Sequence, residues 1–250
     1  MRKICIIVGH GTSRSGGYDS GAVSGDGKYH EFRIAKEIAK YASEYLGCDL
    51  MNYNGSLYLT DRIKAVNASD YDFIAEIHLN AGGGTGTEAY YYHGSPTGKR
   101  AAQAVCGEIS EAFGIRNRGA KVKLGKNGKD YFGIIRDTKP TAILIETVFI
   151  DTAKDIECVK NDEGMRKCGK AIADGLRAAL TNEKEAAFVV RVNCPSLNIR
   201  RGAGTQYRPT GYLRSGAEVE ISETDSSKKW GRLADGRGWI SLSSKYVGRV

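Results

Sequence analysis

The spacing of apolar residues changes once along this chain, near Leu180. Before that point, short apolar runs alternate with longer segments in which apolar residues recur every three or four positions. Strands alternating with helices predict an α/β fold with a mostly parallel sheet flanked by helices. After it, closely spaced short strands separated by glycine-containing turns predict a small all-β barrel. We therefore expect two domains, residues 1–180 and 187–250, joined by a polar linker at residues 181–186.

The predicted elements follow from periodicity and from residues that begin and end helices. In the first domain, strands are predicted at residues 3–8, 72–79, 87–92 and 141–147, and helices at residues 31–46, 60–68, 97–113 and 162–180. Gly47 is predicted to end the first helix and Thr60 to begin the second as its N-cap. Residues 114–130 are predicted to form a basic loop. The second domain is predicted to contain strands at residues 188–192, 197–200, 210–213, 218–223, 230–233 and 238–240.

Positive charge is unevenly distributed along the chain. The net charge is +8, and the residues from Ala187 onward contain eleven Lys and Arg against five Asp and Glu. This surplus predicts that the second domain meets a polyanion such as nucleic acid, anionic lipid or an anionic cell wall. Nucleic acid is not expected, because the basic residues share no periodic face and the segment lacks the aromatic run of RNA-binding sheets.

Cysteine usage and the N-terminus bear on where the chain is made. The six cysteines form no CxxC pair or regular framework, which predicts reduced thiols in a cytosol. The apolar run after Lys3 is shorter than the core of a signal peptide, and no run approaches the roughly 20 residues of a membrane span. We expect a protein made in the cytoplasm without a signal peptide, acting after release and not inserted into a membrane.

Polar residues follow several of the predicted strands at the point where each strand ends. His10 comes just after the first strand, His78 ends the second, and Glu146 lies near the end of the last. Glu31 begins the first long helix. Because sites in open α/β sheets collect outside the carboxyl ends of the strands, we expect these four side chains to converge.

The residue types at these strand ends and at the helix start suit a catalytic zinc ion. Such zinc takes three ligands from His and Asp or Glu and leaves a fourth position for water, and His10, Glu31 and His78 supply that set. Glu146 is the candidate proton shuttle, since an isolated carboxylate in an apolar strand is costly unless it is used or paired. His30 remains an alternative ligand, His93 is expected at the surface or near substrate, and Asp19 is expected to brace its loop.

Five short motifs, in order along residues 2–180, resemble those of the zinc-dependent N-acetylmuramoyl-L-alanine amidases of the type-3 family. They are Val8-Gly9-His10-Gly11, Asp19-Ser20-Gly21-Ala22, Glu31 at a helix start, Ile77-His78-Leu79-Asn80-Ala81 and Ile145-Glu146-Thr147-Val148-Phe149-Ile150. The resemblance implies that His10, Glu31 and His78 bind zinc and that Glu146 is catalytic. It also implies cleavage of the peptidoglycan amide between N-acetylmuramic acid and L-alanine. Ile7-Val8 replaces the family's usual Asp-Pro, which affects a neighbour of a ligand and no ligand.

The second domain resembles bacterial SH3-like domains, which bind cell walls. The matching segments are Leu197-Asn198-Ile199-Arg200-Arg201-Gly202-Ala203-Gly204-Thr205, Gly211-Tyr212-Leu213, Gly238-Trp239-Ile240 and Lys245-Tyr246-Val247. Peptidoglycan and anionic wall polymers are the implied partners, with Tyr207 and Tyr246 as candidate wall contacts and Asn80 as a candidate substrate contact. Trp230 and Trp239 are expected in the barrel core.

These features favour an enzyme over the alternatives. A zinc peptidase of another class would need an HExxH or related helical signature, which the sequence lacks. An inactive wall-binding protein is disfavoured because all four polar residues are present. An unsecreted wall amidase with a binding domain suits a phage endolysin, and the alternative is a mother-cell or autolytic amidase of the bacterium itself.

Overall fold

The computed structural model describes residues 2–181, 187–225, 227 and 229–250. The chain divides into two compact units, Met1–Thr181 and Asn182–Val250. The expected linker at residues 181–186 lies outside the described residues except for the backbone of Thr181. Each unit is therefore described by itself.

The first unit alternates strands and helices, as its periodicity predicts. Its strands are β1 (Ile4–Val8), β2 (Gly11–Thr12), β3 (Tyr18–Asp19), β4 (Asp49–Met51), β5 (Phe73–Asn80), β6 (Thr87–Tyr91), β7 (Asn117–Lys121) and β8 (Thr141–Phe149). Its helices are α1 (Glu31–Leu46), α2 (Leu59–Asn67), α3 (Pro96–Phe113), α4 (Gly133–Arg136), α5 (Ala153–Ile156) and α6 (Asp162–Thr181).

Within residues 2–181, six strands form one sheet in the order β4-β1-β5-β8-β6-β7. Neighbouring strands run parallel, except that β6 is antiparallel to β8. This confirms the prediction of an α/β fold with a mostly parallel sheet flanked by helices. The remaining pair, β2 and β3, forms a short hairpin that leads into α1.

Alternation along the strands gives the sheet two different faces. On one face Ile6, Ile77 and Ile145 are fully buried among residues of α1, α3 and α6. On the other face Ile74 and Leu144 pack against α2 and α4. Because side chains alternate along a strand, the polar residues that continue this second face come at the strand ends. They are Glu76, His78, Glu88 and Glu146.

Several local predictions were wrong or incomplete. Residues 114–130 are not a simple loop, because they contain β7, which pairs with the edge of the sheet at β6. Thr60 is not the N-cap of α2; Tyr58 takes that position, without a side-chain hydrogen bond. Gly47 does end α1 in the left-handed conformation, with φ 67°, as predicted. The short elements β2, β3, β4, α4 and α5 were missed because they hold too few residues to show a period.

The second unit is entirely β. Its strands are β9 (Phe188–Val192), β10 (Ser196–Arg200), β11 (Pro209–Arg214), β12 (Glu218–Thr224), β13 (Trp230–Leu233), β14 (Trp239–Ser241) and β15 (Val247–Arg249). In its described part they form one antiparallel sheet in the order β11-β10-β14-β13-β12-β9-β15. Its core includes Val190, Ile199, Ile221 and Ile240. This confirms a small all-β domain with an SH3-like region and adds β15, which the periodicity did not show.

Two further expectations concern the whole chain. All six cysteines belong to the described residues, and none of them is bonded to another there. Among the described helices, none is long and apolar enough to cross a membrane.

Candidate metal centre and catalytic site

Three side chains from separate parts of the first unit meet at one point. His10 follows β1, Glu31 is the first residue of α1, and His78 lies near the end of β5. Glu31 Oε1 is 3.2 Å from His10 Nε2 and 2.9 Å from His78 Nδ1. Each residue offers one ligand atom, and the three atoms lie within 4.8 Å of one another. This is the set that the sequence predicts as metal ligands.

The backbone around His10 is shaped to bring this set together. His10 has φ 58°, an unusual value for a residue with a side chain. Its carbonyl accepts hydrogen bonds from Asn52 Nδ2 at 2.9 Å and Arg62 Nη1 at 3.2 Å, which hold this conformation. Gly9 leaves the room that the His78 ring occupies, because a Cβ there would lie 2.2 Å from His78 Cε1.

Glu31 is fixed in the same way. A Cβ on Gly21, which has φ 65°, would lie 2.5 Å from Glu31 Oε2. The backbone amides of Ala22 and Leu79 donate to the Glu31 carboxylate at 2.7 and 3.1 Å. A carboxylate that begins a helix is also favoured by the helix dipole. Glu31 therefore presents its charge to both histidines from a rigid position.

Each histidine has a carboxylate near its second ring nitrogen, the one that is not directed toward Glu31. Asp19 Oδ2 is 2.9 Å from His10 Nδ1, on the side of the ring away from Glu31. Glu76 Oε2 is 3.4 Å from His78 Nε2, and Glu76 Oε1 is 2.8 Å from Arg62 Nε. Metal-bound histidines are commonly oriented by a carboxylate on their second nitrogen. The arrangement leaves His10 Nε2 and His78 Nδ1 directed toward Glu31.

The charges of the cluster are strongly coupled. Burial lowers the pKa of His78, but its contacts with Glu31 and Glu76 outweigh burial and raise the pKa well above the usual value. Burial raises the pKa of Glu31, yet the two histidines bring it far below the usual value. The three groups thus attract a positive charge, either as protons on the rings or as a cation between them. A His, Glu, His donor set fits zinc.

Glu146 lies beside this cluster on the next strand. It is opposite His78 in the register of β5 and β8. Glu146 is half-buried, and its buried Oε2 atom has no hydrogen-bond partner among the described residues. Burial raises the pKa of Glu146 to about 7, and the neighbouring Glu31 and Glu88 add to the shift. A carboxyl group with a pKa near neutrality, next to a metal site, is suited to accepting and returning a proton.

Glu88 forms a satisfied network on the other side of Glu146. The two residues are opposite each other in the register of β6 and β8. Glu88 accepts hydrogen bonds from Arg118, Lys121 and Tyr90, and also from Asn80 Nδ2 at 3.0 Å. Asn80, which the sequence proposed as a substrate contact, is thus held in place by a buried carboxylate. The sheet edge next to Glu146 is positively charged.

A cavity of about 210 Å³ is lined by His10 and His78 of the cluster. Besides His10 and His78, its lining includes Tyr58, Phe132 and Gly133. The first residues come from the ends of β1 and β5, while Tyr58 precedes α2 and the others come from the start of α4. The short helix α4, which the sequence did not reveal, therefore borders the site.

The other sequence candidates are not members of the three-residue group. His30 is the residue before α1, and its Nδ1 is buried without a hydrogen-bond partner among the described residues. His93 bonds to buried Asp130, with Nδ1 2.7 Å from Oδ2. Neither histidine belongs to the cluster of possible ligands found among the described residues. Asp19 braces its loop by accepting from Gly21 N at 3.0 Å and contacts His10 as well.

The second unit places its candidate contacts differently. Tyr207 is exposed, with 45% of its surface accessible, whereas Tyr246 is half-buried and packs against the core. Trp230 and Trp239 are half-buried. The exposed aromatic surface of this unit also includes Tyr212, at 56%.

Sequence reasoning missed Asn52, Arg62, Glu76 and Glu88. Asn52 and Arg62 lie in segments with no catalytic motif, and only the fold brings them to the carbonyl of His10. Glu76 carried a signal, because it lies two residues before His78 in a strand and so shares its face.

Known families match both units. Residues 4–178 match the profile of the N-acetylmuramoyl-L-alanine amidases, and residues 195–248 match that of the bacterial SH3 domain. The sporulation-specific N-acetylmuramoyl-L-alanine amidase of Bacillus subtilis is 31% identical over 213 residues, covering 79% of each chain. The endolysin of Bacillus phage SPP1 is 27% identical over 198 residues, covering 74% of this chain and 68% of the endolysin.

Solved structures show the same fold. The crystal structure of an N-acetylmuramoyl-L-alanine amidase from Clostridium difficile 630 is similar over 73% of this chain and 98% of that one. The TM-score is 0.62 and the sequence identity is 26%.

Proposed function

The chain belongs to the N-acetylmuramoyl-L-alanine amidase family, and we propose that it hydrolyses the peptidoglycan amide between N-acetylmuramic acid and L-alanine with one zinc ion. The observation that carries this proposal is the convergence of His10, Glu31 and His78 beside half-buried Glu146. The donor set suits zinc, and a carboxylate stands behind each histidine. Each of the four residues has a distinct part in the reaction.

His10, Glu31 and His78 would hold the ion. When bound, zinc supplies Lewis acidity, which polarises the substrate carbonyl and makes water more acidic. Glu146 accepts the proton of the attacking water and returns it to the nitrogen of L-alanine as the amide bond breaks. Its raised pKa, about 7, matches both halves of this transfer near neutral pH. Asp19 and Glu76 keep the two imidazole rings in orientation.

The second unit is proposed to hold the enzyme on the wall. It resembles wall-binding domains, carries a surplus of six positive charges and exposes Tyr207 and Tyr212. Tyr207 is the proposed stacking contact, and Tyr246, which is half-buried, is proposed to add its exposed edge. Asn80 in the first unit is proposed to meet the substrate next to Glu146. Peptidoglycan and anionic wall polymers are the partners.

The biological setting is proposed to be phage lysis, in which the enzyme reaches the wall from the cytoplasm. The similarity to a phage endolysin supports this setting. The similarity to a sporulation-specific amidase supports the alternative, a bacterial enzyme acting from within a mother cell. Both settings need the same reaction. A catalytically inactive wall-binding protein is disfavoured, because such a protein has no need for Glu146 beside the three ligands.

Mass spectrometry of digested peptidoglycan tests the reaction. Purified sacculi treated with the full chain and zinc should release peptides with new L-alanine amino termini and leave glycan strands intact. New reducing sugars would show a glycosidase, and cuts within the stem peptide would show a peptidase; either result contradicts the proposal. The Glu146→Gln variant is the control for contaminating hydrolases.

A further inference from the structure

One surface segment of the first unit is strongly basic. Residues 116–131, named here the cationic strip, contain six Lys and Arg and one acidic residue, Asp130. All of residues 1–186 together have a surplus of only two positive charges, with 26 Lys and Arg against 24 Asp and Glu. Asp130 is buried and bonded to His93, so it faces away from the exposed lysines. The positive charge of the chain is therefore concentrated here as well as in the second unit.

The strip begins next to the catalytic carboxylate. Arg118 and Lys121 lie on β7 and both bond to Glu88. Glu88 is in turn opposite Glu146 in the sheet. Because one carboxylate cannot neutralise two cations, this sheet edge keeps a net positive charge beside the site of bond cleavage.

The rest of the strip is a hairpin whose Lys123 contacts Phe132, a residue that lines the cavity. Tyr131 N donates to Lys123 O at 2.8 Å, and Gly125 N donates to Lys129 O at 2.8 Å. Lys123 Nζ lies 4.3 Å from the ring centre of Tyr131 and 5.4 Å from that of Phe132, which lines the cavity over His10 and His78. Among the described residues, no carboxylate forms an ion pair with Lys123, Lys126 or Lys129. Their charge is available to a ligand.

We propose that the cationic strip binds carboxylates of the stem peptide, on the L-alanine side of the amide to be cut. The inference rests on the proposed function and identifies which side of the substrate lies along β7 and its hairpin. The sugars are N-acetylated, and the lactyl carboxyl group is consumed in the amide, so the glycan near the bond is neutral. A free carboxylate of the stem peptide is a negative charge on the L-alanine side of this bond. Lys123 is the residue of the strip that reaches the cavity wall.

Kinetics on a matched pair of soluble substrates test this proposal. One is an N-acetylmuramoyl peptide whose second residue has a free carboxylate, and the other carries a carboxamide there. We expect Lys123→Gln to raise KM for the acidic substrate about threefold, the effect of one exposed charge pair, with kcat unchanged. KM for the carboxamide substrate should not change. Lys126→Gln with Lys129→Gln should act in the same direction, and all effects should weaken with salt.

The control removes equal charge elsewhere. Lys167→Gln with Lys170→Gln changes two lysines of α6, which packs on the opposite face of the sheet, and should leave KM unchanged for both substrates. Equal changes for the acidic and carboxamide substrates would overturn the proposal. A loss of activity seen only on walls that carry phosphate polymers would also overturn the proposal. It would show that the strip binds those phosphates.

A direct binding measurement separates this proposal from the proposed function. Calorimetric titration of the full chain with the free acidic stem peptide should show weaker binding after Lys123→Gln. If the wild-type chain cut neither substrate but bound the acidic peptide through Lys123, the proposed reaction would be wrong. The proposal that the cationic strip binds peptide carboxylates would still hold. If the wild-type chain cut both substrates and bound the acidic and carboxamide peptides alike, the strip proposal alone would fail.

Discussion

A single oxygen atom organises the site at the scale of residues. Glu31 Oε1 accepts from the amide of Leu79 and lies within 3.2 Å of a nitrogen of each histidine. A group held by a helix start, a backbone amide and two rings has little freedom to move. The ligand set is therefore preorganised, which suits rapid binding of a cation without refolding.

The first residue-scale prediction concerns Glu146. Glu146→Gln keeps the size of the side chain but cannot take up a proton, so we expect kcat to fall by a factor of about 10² to 10⁴. Zinc content should be unchanged, because Glu146 is not one of the three ligands. The rate of turnover on sacculi measures kcat, and elemental analysis of the same preparation measures the zinc content. Retention of full turnover in this variant would remove Glu146 from the mechanism.

The second residue-scale prediction concerns Glu76, which stands behind His78. Glu76→Gln should weaken zinc binding about 10- to 100-fold, as for other carboxylates behind metal-bound histidines. It also leaves Arg62 buried without its anionic partner, so the metal-free protein should lose about 3 kcal/mol of stability. Competition with a chelator and chemical denaturation measure the two effects.

A double variant separates the two roles of Glu76. Adding Arg62→Met to Glu76→Gln removes the unpaired buried charge, so part of the lost stability should return. Zinc affinity should remain low, since His78 still lacks its carboxylate and the carbonyl of His10 has also lost Arg62. Wild-type zinc affinity in Glu76→Gln would show that the carboxylate has no part in orienting His78.

The sequence alone was enough to propose the metal ligands and the proton shuttle, and the structure brings the three proposed ligands together. His10, His78 and Glu146 follow or end apolar strands, and parallel strands bring such ends to one edge of the sheet. Arg62 and Asn52 could not be found this way, because their contacts with the carbonyl of His10 join segments 42 to 52 residues apart. Nothing in the local pattern of α2 distinguishes Arg62 from a surface arginine.

At the scale of elements, the edge strand β7 is the element whose absence from the sequence prediction matters most for the site. Its sequence, Asn-Arg-Gly-Ala-Lys, has neither the apolar alternation nor the β-branched residues that indicate a strand, so it was predicted as loop. β7 is formed by its pairing with β6 and by the ion pairs of Arg118 and Lys121 with Glu88. These interactions depend on the assembled sheet, which is why periodicity predicted β1 and β5 but not β7.

The element-scale prediction is a pH dependence of stability that comes from Glu88. Burial raises the pKa of Glu88, but Lys121, Arg118 and Tyr90 lower it to about 2 overall. Its contribution is therefore complete above the unfolded pKa, about 4.5, and disappears as the pH falls toward 2. The difference in unfolding free energy between wild type and Glu88→Gln should be larger at pH 7 than near pH 3, by up to about 2 kcal/mol.

Denaturant unfolding of metal-free protein, in the presence of a chelator, measures this difference without a contribution from zinc. The comparison between the two proteins cancels the titration of the other carboxylates. A difference that does not change between the two pH values would show that the charge of Glu88 does not stabilise β7.

At the scale of the whole molecule, the chain consists of two compact units with separate cores. The sequence predicted a domain boundary at residues 181–186, from the change in the spacing of apolar residues near Leu180. The last strand, β15, was not predicted, because three residues show no period.

The whole-molecule prediction assigns wall binding to the second unit. A fragment of residues 187–250 should bind purified sacculi in a pelleting assay without cutting them, and binding should weaken as salt is raised. Tyr207→Ala in the fragment should reduce binding, with Tyr246→Ala as a comparison that also tests core packing. A folded fragment that stays in the supernatant at low salt would contradict this assignment.

The central claim is that His10, Glu31 and His78 hold one zinc ion. Its most direct test is calorimetric titration of the metal-free full chain with zinc, alongside the His78→Ala and Glu31→Gln variants. The account predicts one equivalent of tightly bound zinc for the wild type and loss of that site in each variant, with the fold retained by circular dichroism. Tight stoichiometric zinc binding in the folded His78→Ala variant would contradict it.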